Sequence, residues 1–67
     1  MILWNKAKPD TTNLAIGDQV AFNKLEDATW FDVLAINEGS FIEVREHGTE
    51  YSKQGAHKSM IAQIKKA

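Results

Sequence analysis

Residues 29–51, TWFDVLAINEGSFIEVREHGTEY, constrain this fold more than any other part of the chain. They concentrate apolar and β-branched side chains around two turn signals, Asn37-Glu38-Gly39-Ser40 and His47-Gly48. The pattern predicts three consecutive antiparallel strands at about residues 30–36, 41–46 and 49–52. In the first, Trp30, Asp32, Leu34 and Ile36 share one face and Phe31, Val33 and Ala35 the other, as in a central strand covered on both sides. Asp32 then requires a strand end, a bulge or a basic partner, because an unpaired buried carboxylate is too costly. In the second, Ile42 and Val44 face inward against Glu43 and Arg45, with Phe41 on the wet side. In the third, Tyr51 is expected across the ladder from Val44.

A trio of strands needs its apolar face covered before it is stable, so the flanking segments must close over it. Residues 14–22, LAIGDQVAF, predict a turn at Gly17-Asp18 and a strand with Val20 and Phe22 on one face. Residues 23–29, NKLEDAT, are too short for an independent helix and read as a loop folded back with Leu25 tucked in. The last stretch, AHKSMIAQIKKA, fits two periods: Met60, Ile61 and Ile64 at helical spacing, Met60, Ala62 and Ile64 on one strand face. The expected compromise is one helical turn beginning at Ser59 and a final strand at 62–65.

The chain has 67 residues and no cysteine, so it forms one small domain with neither disulfides nor thiolate metal ligands to reinforce its core. Residues 14–67 are expected to form this domain, with residues 1–13 as an N-terminal extension or edge segment. There Trp4 is expected to cap the core or contact another subunit. The formal net charge is -1, which gives no overall pull toward nucleic acid or anionic membrane. Its distribution is uneven. Between residues 18 and 50 lie Asp18, Glu26, Asp27, Asp32, Glu38, Glu43, Glu46 and Glu50 against Lys24 and Arg45, and beyond Glu50 every charge is positive: Lys53, Lys58, Lys65 and Lys66. No apolar run is long enough to span a bilayer, and the start, MILWNKAKPD, lacks the pattern of a secretory signal. A complete small gene product in the cytoplasm is the expectation.

The order GDQVAF, polar loop, WFDVLAI, turn, FIEVREHG, turn, TEYS and terminal strand resembles a small SH3-like barrel, the architecture also used by KOW modules and by several tiny phage and plasmid proteins. Gly17, Asp18 and Val20 match the GDxV opening of that class, and Ile36 followed by a turn and residues 41–45 match its middle hairpin. The resemblance covers about residues 16–65. It implies an all-β, five-stranded antiparallel barrel with a short helical turn near the C-terminus. Its peptide-binding branch implies an aromatic groove, for which Trp4, Trp30, Phe31 and Tyr51 are the candidates, and an acidic loop, here Glu26 and Asp27.

For function, the leading expectation is a small non-enzymatic protein-interaction or regulatory module whose partner is another protein or a second copy of itself. Its candidate contacts are Trp4, Trp30, Tyr51, Met60, Glu26 and Asp27. The alternative is a nucleic-acid-binding module of the SH3-like or KOW type that uses Lys53, Lys58, Lys65, Lys66 and Arg45. A third is an enzyme active only as an oligomer. His47, between Glu46 and Glu50 in a tight turn, has the surroundings for proton transfer. Yet Glu46, His47, Glu50 and His57 lack a recognised metal spacing, and Gly17, Gly39, Gly48 and Gly55 form no phosphate loop. No catalytic residue, cofactor, metal or small-molecule substrate is expected.

Overall fold

Alternating side chains in the central stretch build a sheet with one dry and one wet face. The computed structural model describes residues 9–67. Five strands form, β1 (Gln19–Ala21), β2 (Phe31–Ile36), β3 (Phe41–Glu46), β4 (Gln54–His57) and β5 (Gln63–Lys65). They lie in the order β4-β3-β2-β1-β5, and each neighbouring pair is antiparallel. Val20 opposes Phe31 and Ile64, Val33 opposes Val44, and Ile42 opposes Ala56. These pairings put Val20, Val33, Ile42, Val44 and Ala56 into one core with Leu14 and Ile61, rimmed by Phe22, Phe31 and Ile64.

The sheet is open, which corrects the SH3-like barrel expectation. A short barrel needs its first and last edges to find each other. Here β5 does pair with β1, but this makes β5 one outer strand and leaves β4 as the other, with no ladder joining them. The residues matching a GDxV opening and a middle hairpin specify local turns and one ladder, and neither feature dictates closure.

The expected third strand is also corrected. Gly48 takes φ 80, as its turn requires, but the chain does not enter a strand directly after it. Thr49 holds the turn closed, with its N–H and its hydroxyl both donating to Glu46 O at 3.2 and 2.8 Å. Its Oγ1 then accepts from the N–H of Tyr51 at 3.3 Å. A side chain that captures neighbouring backbone groups competes with the ladder, so residues 49–53 loop out and β4 begins five residues later. Val44 accordingly faces Gln54, not Tyr51.

Two short 3-10 turns replace any regular helix among the described residues. One, Glu38–Ser40, makes the β2–β3 connection with Gly39 at φ 75 and Ser40 at φ 67. The other, Lys58–Met60, takes the place of the expected C-terminal helical turn. His57 caps it, since Nδ1 accepts from the N–H of Ser59 at 3.1 Å. The next residue, Ile61, is fully buried, while Met60 is exposed. Leu25 is exposed rather than tucked in. Its loop is held locally, by Asn23 Oδ1 accepting from the N–H of Leu25 and by Ala28 N–H donating to Leu25 O. β2 is covered on one face only, with Val33 buried and Asp32 half-buried on the other.

One polar side chain sits in the core. Asp18 is 2% exposed, and its cost is met by donors from both ends of the described chain. Oδ2 accepts from Ala15 N–H at 2.9 Å and from Lys66 Nζ at 2.6 Å, and Oδ1 accepts from Ala67 N–H at 3.0 Å. The Lys66 ammonium first, then the two amides, hold this carboxyl down to about 2. Gly17, at φ 100, makes the bend that turns Asp18 inward, and its N–H donates to Val33 O at 3.1 Å.

Candidate functional site

The same registers that sort the core set a polar row across the opposite face. Lys65 opposes Gln19, Gln19 opposes Asp32, and Asp32 opposes Arg45, so one residue from each of β5, β1, β2 and β3 lies in line. His47, just past β3, closes over this row. Its Nδ1 lies 3.0 and 3.2 Å from the two Asp32 oxygens and 3.3 Å from Gln19 Nε2. Of the settings expected for Asp32, a basic partner is met by His47, and the carboxylate is half-buried, not enclosed. At the other end of the row the Lys65 ammonium sits 4.4 Å from the centroid of a Trp30 ring, a cation–π contact. Arg45 Nε is shielded from solvent with no hydrogen-bond partner among the described residues. The arrangement holds charged groups of both signs on an open surface, and the described residues enclose no pocket.

The second feature is the outer edge of β4. Gln54 and Gly55 are exposed, and no strand among the described residues lies beyond them. Apolar side chains stand around this edge. Phe41, opposite His57 in register, is exposed and meets the imidazole edge-on at 4.9 Å between centroids. Tyr51, 65% exposed, lies in the loop leading into the strand, and Met60, 53% exposed, in the turn leading out of it. Lys53 and Lys58 bracket the strand. Lys53 Nζ lies 2.9 Å from Glu43 Oε1, and this ammonium, followed by the Asn37 amide, lowers the Glu43 carboxyl from its usual value. At β5, the other outer strand, Gln63 Nε2 donates to Asn23 O at 2.8 Å, tying the 22–30 loop to that strand.

The expected contacts thus fall into separate places. Tyr51 and Met60 flank β4, Trp30 belongs to the opposite end of the polar row, Glu26 and Asp27 are exposed in the 22–30 loop, and Trp4 lies outside the described residues. Among the described residues Trp30, Tyr51, Met60, Glu26 and Asp27 lie on different parts of the surface, and no pocket is enclosed there. The alternative basic set divides likewise. Lys65 and Arg45 are on the polar row, Lys53 and Lys58 at the ends of β4, and Lys66 is bound to Asp18 and to Asn13 O. Two of these five cations, Lys53 and Lys66, are already held by carboxylates.

Sequence reasoning missed the burial of Asp18, whereas Phe41 is exposed, as its expected place on the wet side requires. For Asp18 the available signal was its place directly after Gly17 and before an alternating strand, where a short carboxylate can accept from backbone amides. Comparison with protein families, curated proteins and solved structures finds no match to this chain. Among the described residues no helix is long and apolar enough to cross a membrane, and no group of three or more potential metal ligands forms.

Proposed function

We propose that this chain is a non-catalytic protein-interaction module that takes an extended segment of a polypeptide onto the outer edge of β4. The observation that carries the reading is the open edge itself, an outermost strand with exposed Gln54 and Gly55 and the apolar side chains Tyr51, Phe41 and Met60 around it. An added strand gains main-chain hydrogen bonds from such an edge, and side chains beside it give selectivity. One four-residue strand buries little area, so the complex belongs to the weak, transient class. The His47–Asp32 pair supplies a proton-relay geometry, but it stands on an open face without the concave, water-excluding surroundings that favour catalysis.

The test is selection of peptides from a random library on the immobilised protein, followed by amide-shift mapping with a selected peptide. The assays run at neutral pH and intracellular ionic strength, since this reading places the protein in the cytoplasm. Shifts concentrated at residues 51–60 support the reading. Shifts elsewhere, or no peptide selected, overturn it. One observation favours a second reading, nucleic-acid contact through the polar row: the Lys65–Trp30 contact pairs a cation with a stacking platform in line with Arg45. That reading requires oligonucleotide binding that weakens steeply as salt rises.

A further inference from the structure

We infer that the β4 edge is built to take an acidic extended segment of a different protein, rather than a second copy of this chain. The inference rests on the edge-binding reading above and specifies its occupant. The argument is charge complementarity. β4 itself, Gln54–His57, carries no carboxylate, and the residues immediately before and after it are Lys53 and Lys58.

A second copy could add to this edge only by presenting its own unpaired strand. Opposed residues of an antiparallel ladder share a face, so two copies related by a two-fold axis set a residue opposite itself; with Gly55 against Gly55, Lys53 of each copy falls opposite His57 of the other and Lys58 opposite Ser52. Each end of the new ladder then holds Lys53 of one copy beside Lys58 of the other, which disfavours the pairing. The next symmetric register, with Ala56 against Ala56, puts Lys53 opposite Ser59 and Lys58 opposite Gln54, which still concentrates positive charge at both ends. Lysines at exposed edges are a recurrent means of preventing such self-pairing. The same charges attract a strand with carboxylates at corresponding positions. Lys53 remains available for this although it touches Glu43, because its side chain is 63% exposed and an ammonium has three donors.

The occupant is therefore an extended segment of about six residues, apolar or β-branched in its middle to meet Tyr51, Phe41 and Met60, with Glu or Asp near each end. Three synthetic octapeptides with the same Val/Thr centre, flanked by Glu, by Gln or by Lys, are titrated into the isotopically labelled protein while amide shifts are followed. Light scattering records the mass of the protein alone. The Glu-flanked peptide is expected to bind about tenfold more tightly than the Lys-flanked one at low salt, from two exposed ion pairs gained against two repulsions. The preference should shrink at high salt and should reverse in the double variant K53E/K58E, whose amide spectrum reports whether it is folded.

Three peptides that bind equally at residues 54–57 would overturn the charge inference and leave the edge reading standing. No perturbation of 54–57 by any peptide would sink the edge reading, and this inference with it. A dimer protected at β4 would make a second copy the occupant. An oligonucleotide that shifts Lys53 and Lys58 and displaces the Glu-flanked peptide would assign the two lysines to phosphate instead.

Discussion

Replacement of Ile61 by alanine is the sharpest test of how this small sheet is held together. Ile61 is 1% exposed and belongs to the core, although it lies on neither a strand nor a helix. It sits where the chain passes from one outer strand, β4, to the other, β5, and its N–H closes the 3-10 turn on Lys58 O at 3.1 Å. Alanine removes three buried carbons, worth about 2.4 kcal/mol at ~0.8 kcal/mol each. A cavity in a core of few side chains raises this to about 3–4 kcal/mol. A domain this small has a total stability on the order of 5 kcal/mol, so the loss is most of it, and the melting temperature should fall by at least about 12 °C. Met60→Ala removes the same number of side-chain heavy atoms from a half-exposed position and should cost less than about 1 kcal/mol. Urea unfolding followed by circular dichroism gives both midpoints. Ile61→Val, expected to cost about 1 kcal/mol, supplies a measurable value if the alanine variant is largely unfolded. A Met60→Ala cost equal to or larger than that of Ile61→Ala would refute the packing described, because it would mean that the turn presents its other side to the core.

Asp18 carries the pH dependence. Its folded pKa is depressed from 3.8 to about 2, so its contribution is fully present above the unfolded value and is lost as pH falls from about 4 toward 2. Glu43, lowered by Lys53, and Asp10, lowered by the N–H of Thr12, act in the same direction. Asp18→Asn should lower the urea midpoint at neutral pH and flatten its decline in acid, and an unchanged acid slope would count against the buried ion pair. Gly17→Ala should cost about 1–2 kcal/mol from backbone strain alone, since an added Cβ at φ 100 meets Ala67 Cβ at an ordinary 3.8 Å. Gly55→Ala, with open space around it, should stay within about 0.5 kcal/mol in the same unfolding assay. Ser40→Gly should raise stability by about 0.5–1 kcal/mol by relieving a serine at φ 67.

What the sequence discloses here is local order, and what it conceals is how the ends meet. The alternation FIEVRE gave one strand to the residue, because every second side chain pairs with an apolar neighbour on β2 or β4. The turns at Gly17, Gly39 and Gly48 were legible because each needs positive φ. The fate of Thr49 was not. Its composition suits a strand, and only the carbonyl of Glu46 within reach of its hydroxyl makes it a turn residue. Choosing Ile61 over Met60 for the core likewise depends on where a single 3-10 turn ends, a displacement of one residue that neither period resolves. Closure into a barrel was least legible, since it concerns the relation between β4 and β5 and no run of residues encodes that relation directly.

The strand order also gives the charge pattern a spatial meaning. Along the chain the change is a step at Glu50, acidic before and basic after. Both strands that follow the step, β4 and β5, take the outer positions, while Asp32, Glu43 and Glu46 lie on the inner strands β2 and β3. A linear step thus becomes a lateral one, with lysines at both margins of a partly acidic sheet. The two margins are not equivalent. At β5 the neighbouring Lys66 serves the fold by neutralising Asp18, and Lys65 lies against Trp30. At β4 the lysines stand at the two ends of an outer strand that carries no carboxylate. Positive charge stabilises the fold on one side by neutralising Asp18, whereas on the other it brackets an outer strand, and that difference is why the edge-binding proposal is made for β4 and not for β5.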